Sequence, residues 1–192
     1  MIYSRQLSRI LIVLSAFLAT MSSIAQAQTK PLAEIPWSAT QKLSLENFQF
    51  RKATEGEGSS NASFAITYKA SGADLLSRNL NKRVYNYFIP AESWIDTTQN
   101  REQALQFQQT NFDICEIYVR QFRKALYENK KQIKSLRFVD ELNERFTTAF
   151  SQRRLEYDRD TKAGTDAEAQ KKWEAMIREE LASLSAYSYE KE

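Results

Sequence analysis

The sequence predicts an α+β fold in which a small antiparallel sheet of about three strands is followed by three long helices. The first half holds short alternating or aromatic-rich stretches separated by polar loops, which is the pattern of strands. The second half places apolar residues three and four positions apart, which is the period of amphipathic helices. Because the strands precede the helices instead of alternating with them, we expect separate sheet and helix layers.

The first 27 residues have the features of a secretory signal peptide. Arg5 and Arg9 precede an apolar run, Ile10–Ala19, and a small-residue cleavage site follows at Ala25-Gln26-Ala27. The run is too short to span a bilayer. We therefore expect a periplasmic or secreted protein that has no membrane segment once the signal is cleaved.

The remainder of the chain is long enough for one domain with a single core. Residues 28–40 contain two prolines and are predicted to form an N-terminal tether, followed by a single domain over residues 41–189. Removing the signal leaves 25 basic against 24 acidic residues. This near-neutral balance gives no electrostatic reason to expect nucleic acid as a partner.

Three segments are predicted as strands. Gln41–Arg51 alternates loosely between apolar and polar residues and is predicted as a strand leading into a bent segment, and Ala62–Ala70 alternates cleanly. Arg83–Ile89 is rich in aromatic and β-branched residues and is ended by Pro90, which cannot donate to a sheet. Alternation along this last strand predicts one face with Val84, Asn86 and Phe88 and an opposite face with Tyr85, Tyr87 and Ile89.

The central helix is predicted over Ala104–Lys124, with a cap at Asp96 or Thr97 before it. Its wide apolar arc predicts burial on more than one side, whereas Glu116 and Arg120 are expected to form an i,i+4 ion pair on the polar face. The arc comprises Leu105, Phe107, Phe112, Ile114, Cys115, Tyr118, Val119, Phe122 and Leu126.

Two more helices are predicted after the central one. The second runs from about Ile133 to Asp158, and the third is opened by a capping box formed by Thr165 and Glu168. Cys115 is the only cysteine, so no intramolecular disulfide can form. Its position on the apolar arc of the central helix predicts a small buried core residue rather than a nucleophile.

The central helix contains the segment Phe107-Gln108-Gln109-Thr110-Asn111-Phe112-Asp113-Ile114. This segment resembles the helix of a bacterial secreted family, domain of unknown function 922. The family's helix reads leucine, then His-Glu-x-x-His-Phe-Asp-Ile, then Ala-Glu-hydrophobic-Tyr-x-Arg. The positions that match here are Phe112, Asp113, Ile114, Glu116, Tyr118 and Arg120.

Flanking segments resemble the same family in the same order. Lys42–Phe48 is similar to its Leu-Thr-Trp-x-Asp-Phe segment, and Ser93-Trp94-Ile95 is similar to its Ser-Trp-Val segment. The family's Tyr-Asp-x-x-Thr-x-His-Gly and Gln-x-x-Trp segments are matched by Tyr157, Asp158, Thr161, Gly164, Gln170 and Trp173. The resemblance spans about Ile35 to Tyr187 and implies a compact zinc-protease-like domain.

The chemical positions of the motif are changed. In a His-Glu-x-x-His helix the two histidines bind zinc, and the glutamate is the general base for a zinc-bound water. The resemblance places Phe107 and Asn111 at the histidines, Gln108 at the base and Ala163 at a later histidine, a third ligand. The chain has no histidine, and a glutamine amide cannot accept the proton of an attacking water. We therefore predict no catalytic residue, no metal and no cofactor.

Three hypotheses about function follow from these observations. The first is an exported, non-catalytic member of a zinc-metalloprotease-like family, a pseudoenzyme that has a binding or structural role and an unknown protein or small-molecule ligand. The alternative is a hydrolase with a relocated, metal-free active site that uses Glu116 or Asp113. The third is a structural interaction module with an exposed apolar patch near Trp94 or Tyr187.

Overall fold

In the part of the chain that the structure describes, two small antiparallel sheets and three long helices form the fold, which confirms the predicted α+β class. The computed structural model describes residues 33–50, 59–77, 79–96, 98 and 100–189, all within one compact unit, residues 31–192. The predicted signal segment, residues 1–27, lies outside the described residues. The strands are β1 (Ile35–Pro36), β2 (Ser60–Asn61), β3 (Phe64–Tyr68), β4 (Val84–Phe88) and β5 (Trp94–Ile95). The helices are α1 (Arg101–Glu128), α2 (Leu136–Thr161) and α3 (Ala167–Ser183).

The larger sheet has the strand order β1-β4-β3, and the smaller one pairs β2 with β5. All of these pairings are antiparallel. The two faces of β4 follow the predicted alternation, because its first, third and fifth residues are buried and the two tyrosines between them are half-buried. The buried face of the larger sheet packs against α1.

The prediction of a strand over Gln41–Arg51 is wrong for the described part of that segment. A short 3₁₀ turn lies there instead, at Leu45–Asn47. Its cause is local: the Asn47 side chain accepts a hydrogen bond from the backbone N–H of Ser44 at 2.8 Å, and such a turn competes with strand pairing. The third strand of the larger sheet comes from β1, within the segment interpreted as a tether.

Helix α1 is the centre of the fold. It contacts both other helices, β3, β4 and the smaller sheet, and it is buried on several sides as its wide apolar arc predicts. Cys115 is fully buried on this helix, and burial raises the pKa of its thiol well above the ordinary value. This agrees with the prediction of a core thiol and argues against a nucleophilic thiolate.

The start of α1 differs from the prediction. The helix begins at Arg101, after Asn100 in a left-handed conformation with φ of 46°. Asp96 does not cap it, since its carboxylate accepts a hydrogen bond from the backbone N–H of Thr98 at 2.8 Å. The other predicted cap, Thr97, lies outside the described residues.

The observed bounds of the other two helices also differ from the predicted bounds by a few residues. Helix α2 begins three residues later than predicted and ends at Thr161. The cap of α3 is Asp166, whose carboxylate accepts a hydrogen bond from the N–H of Ala169 at 3.1 Å, instead of the predicted Thr165. The Thr165 hydroxyl donates to the carbonyl of Lys162, so it closes the preceding turn. None of the helices in the described ranges is long and apolar enough to cross a membrane.

Candidate functional site

The three motif positions on α1 are all buried. Phe107 is 5% exposed, Gln108 is 1% exposed and Asn111 is fully buried. They lie within one turn of the helix but contact two different parts of the fold. Phe107 faces the other helices, whereas Gln108 reaches the smaller sheet.

Phe107 fills an aromatic layer between α1 and α2. Its ring stacks on Tyr157 with 4.9 Å between centroids and 16° between planes, and Tyr157 in turn packs against Trp173 of α3. The Tyr157 hydroxyl donates to the Gln170 side-chain carbonyl at 2.6 Å. A side chain of this kind contributes about 1.5–3 kcal/mol through burial, so Phe107 is a core residue.

Gln108 and Asn111 form a small polar chain inside the protein. Gln108 Nε2 donates to Ser60 Oγ at 2.9 Å, and Asn111 Nδ2 lies 3.3 Å from both Gln108 Oε1 and the Phe107 carbonyl oxygen. Asn111 Oδ1 is buried and accepts no hydrogen bond from the described residues. A carboxamide pair of this kind cannot act as a general base, because neither amide takes up a proton near neutral pH.

The connection between α2 and α3 lies against Phe107. Lys162, Ala163 and Gly164 have consecutive positive φ angles of 50°, 56° and 81°. A Cβ on Gly164 would lie 2.7 Å from the Cβ of Phe107, so only glycine allows this close approach. Gln103 Nε2 of α1 also donates to the Gly164 carbonyl at 2.7 Å.

The structure therefore brings together three of the four motif positions and the turn that carries the fourth. The Ala163 side chain itself is exposed, so it is not part of the buried group. Its backbone is nevertheless one residue from the point where the turn contacts Phe107. Phe107, Gln108 and Asn111 are thus neighbours in a filled interior.

Glu116 and Arg120 form the predicted ion pair, at 3.2 Å, but the expectation that they lie on the polar surface is wrong. Both side chains are buried, and Arg123 joins them with Nη1 2.9 Å from Glu116 Oε1. Burial opposes charge in this cluster: it raises the pKa of Glu116 and lowers that of Arg123. Asn86 on β4 also donates to the Glu116 carboxylate at 3.3 Å.

The two arginines hold the segment at residues 181–187 against the sheet and α1. Arg120 Nη1 donates to the Leu181 carbonyl at 2.8 Å, and Arg123 donates to the carbonyls of Val84 and Tyr187. These contacts give Glu116 a structural role, because its charge positions two guanidinium groups that bind backbone carbonyls.

Asp113, the other candidate acid, lies in a cavity of about 460 Å³ between α1, α3 and the segment after β1. Asp113 Oδ1 accepts a hydrogen bond from Trp37 Nε1 at 2.7 Å and one from Gln109 Nε2 at 3.0 Å. Burial raises the pKa of Asp113, although Lys42 at 3.7 Å acts in the opposite direction. The sequence motif did not predict this cavity, because Trp37 is 76 residues from Asp113 in the sequence.

The proposed apolar patch is less open than the third hypothesis requires. Trp94 is half-buried and pairs with Asn61 in the smaller sheet. Tyr187 is also half-buried, and its ring lies 6.2 Å from that of Tyr127, which is 60% exposed. Tyr127, which packs against Tyr187, is therefore more exposed than either Trp94 or Tyr187.

The residue types at the site do not suggest a metal centre. In the part of the chain that the structure describes, no three His, Cys, Asp or Glu residues are grouped so as to hold a metal ion. The motif positions offer a benzyl group and two carboxamides, and these are poor ligands for zinc.

Comparisons with known proteins identify no relative of this chain. No protein-family model, no curated protein and no solved structure matches the chain. The resemblance to the domain of unknown function 922 family therefore stays a prediction.

Proposed function

We propose that this protein is an exported, non-catalytic member of a zinc-metalloprotease-like family, and that it acts by binding. The observation that carries the proposal is the contact between the turn at residues 162–164 and Phe107. The sequence resemblance makes Phe107 and Ala163 equivalent to two ligands of one metal. Ligands of one metal must lie close together, and the turn that carries Ala163 contacts Phe107 through the neighbouring Gly164, although the Ala163 side chain itself is exposed.

The backbone at Ala163 gives further support. Its φ of 56° is a left-handed conformation that costs an alanine roughly 1 kcal/mol or more. Histidine is among the residues enriched in that region, together with asparagine and aspartate. A position that suits histidine but holds alanine fits a scaffold that has lost a ligand.

The proposal predicts that the protein refolded with zinc holds no stoichiometric, tightly bound ion. Four positions at which the family has functional groups carry side chains that are at best poor zinc ligands and cannot accept the proton of a bound water. Elemental analysis after dialysis measures this directly. About one zinc per chain, retained against a weak chelator, would by itself contradict the proposal.

A restored variant provides the complementary test. Phe107→His, Asn111→His and Ala163→His together are expected to bind zinc at least about tenfold more tightly than a two-histidine control. The control carries Arg137→His and Glu141→His, which form an exposed i,i+4 pair on α2. Affinity no better than that of the control, in a variant with the wild-type circular dichroism spectrum, would contradict the assignment of the three ligand positions.

The alternative, a metal-free hydrolase, is favoured by one observation: Asp113 lies in a cavity and burial raises its pKa, as in many general acids. Glu116 is no longer a candidate acid for this hydrolase, because it is buried between two arginines. The alternative requires peptidase or glycosidase turnover that falls about 100-fold or more in Asp113→Asn.

We expect no such turnover, because a raised pKa also occurs in buried structural carboxyls. Fluorogenic peptide and glycoside substrates test this, with the exposed Glu128→Gln as the matched control. Activity that depends on Asp113 and not on Glu128 would establish the hydrolase instead.

A further inference from the structure

The cavity beside Asp113 combines an apolar wall with charges of both signs. Trp37, Ile177 and Leu181 are the large apolar residues of its lining. Its charged lining residues are Lys42, Asp113, Glu174 and Arg178. Two positive and two negative side chains give the lining no net formal charge, so it does not favour a ligand that carries a net charge.

Asp113 presents one open carboxylate oxygen. Trp37 and Gln109 both donate to Oδ1, and Lys42 Nζ is also nearest to Oδ1. Within the described ranges of the chain, no hydrogen bond reaches Oδ2. The side chain is only 19% exposed. The carboxylate is thus fixed by its first oxygen, while its second oxygen is left to accept a donor from a ligand.

Glu174 has the same arrangement on the facing helix. Its Oε1 accepts from Gln106 Nε2 at 2.6 Å and from Gln170 Nε2 at 2.7 Å. Gln170 is itself held by the Tyr157 hydroxyl. Among the described residues no hydrogen bond is made to Oε2 of Glu174. Two carboxylates, each held through one oxygen, therefore line one cavity and suit an ammonium group.

Arg178 supplies the opposite charge. It lines the same cavity from α3, is exposed, and forms no ion pair or hydrogen bond with any residue that the structure describes. Lys42 is less available, because it lies close to both Asp113 and the Trp37 ring. Arg178 is thus the cation that suits a ligand carboxylate.

We infer that this cavity binds a small zwitterion of the α-amino-acid class with an apolar side chain. The ammonium group lies against Asp113 and Glu174, the carboxylate against Arg178, and the side chain against Ile177 and the other apolar residues of the wall. A simple amine would leave Arg178 unused, and a simple carboxylate would face two negative charges. This site is separate from the motif positions, so the inference does not depend on the proposed function.

The test titrates L-leucine, L-isoleucine, L-valine, L-methionine and L-phenylalanine one at a time into the full mature chain. Calorimetry and the fluorescence of the protein's tryptophans, one of which lines the cavity, report binding. At least one of the five is expected to bind with a Kd below about 1 mM. The amide of that amino acid, which lacks the carboxylate, and its deamino acid, which lacks the ammonium group, are each expected to bind at least about tenfold more weakly.

Variants test the two ends of the ligand separately. Arg178→Ala is expected to weaken binding of the amino acid at least about tenfold while leaving the weak binding of its amide unchanged. Asp113→Asn is expected to weaken binding of both. The matched control is Glu179→Gln, which changes an exposed neighbour on α3 that is not part of the cavity lining.

Three results would overturn the inference. They are no Kd below about 1 mM for any of the five amino acids, equal affinity for the amide or the deamino acid, and no effect of Arg178→Ala. Because Arg178 is exposed and has no described partner to lose, that variant keeps the test valid even if Asp113→Asn disturbs the fold. Failure here would leave the zinc experiments, and the proposed function, unaffected.

Discussion

Glu116→Ala is expected to lower the free energy of unfolding by about 3–5 kcal/mol, because it leaves two buried arginines without their shared anion. Arg120 is fully buried and Arg123 nearly so, and both donate to Glu116 Oε1. Neither guanidinium group can turn to water without breaking its hydrogen bonds to backbone carbonyls. Urea unfolding followed by circular dichroism measures the loss.

The same helix offers a matched control. Glu128 forms an i,i+4 pair with Lys124 at 2.6 Å, but the two side chains are 49% and 43% exposed. Exposed pairs of this kind are worth little, so Glu128→Ala should change the stability by no more than about 0.5 kcal/mol. A loss of similar size in the two variants would show that Glu116 is not the anion of a buried cluster.

A large loss for Glu116→Ala does not make the ion cluster a large net source of stability. Burial raises the pKa of Glu116 and lowers that of Arg123, so the fold carries a desolvation cost for both charges. Breaking a buried pair is expensive even where the complete pair contributes little compared with apolar side chains. The role of the cluster is positional, since it ties the segment at residues 181–187 to α1.

The elements that the sequence predicts well are those with long periodic patterns. The predicted bounds of all three helices and of strands β3 and β4 lie within a few residues of the observed bounds, because many apolar residues in each recur with the same period. Strand β1 has two residues and no period to detect. The turn at Asn47 depends on a single side-chain hydrogen bond, which a loose alternation of apolar residues does not reveal.

The candidate site shows the same difference between local patterns, which the sequence reveals, and long-range packing, which it does not. An i,i+4 pair of Glu116 and Arg120 has the same sequence pattern on a surface as in a core. Only the packing of the last helix and the sheet around α1 decides between the two. The cavity at Asp113 likewise depends on Trp37 and α3, which reach the central helix from opposite ends of the chain. Such long-range contacts leave no local signal in a single sequence.

Phe107→Ala is expected to lower the free energy of unfolding by about 3–5 kcal/mol, the cost of removing a buried aromatic ring and leaving a cavity. The ring stacks on Tyr157, and its base contacts Gly164, which cannot carry a larger side chain to fill the space. Leu155→Ala on α2 is the control, because that side chain is 69% exposed and its loss should cost about 0.5 kcal/mol or less.

Phe107→His separates this packing role from the role of the motif position. Histidine keeps a planar ring that can stack on Tyr157, but it brings two nitrogen atoms into an apolar place. Its cost is expected to be smaller than that of alanine and still at least about 1 kcal/mol. Urea unfolding without metal gives this order, and a histidine variant as stable as wild type would contradict it. On the proposed function, phenylalanine replaces the stability that a bound ion would supply, so the scaffold stays folded without the metal.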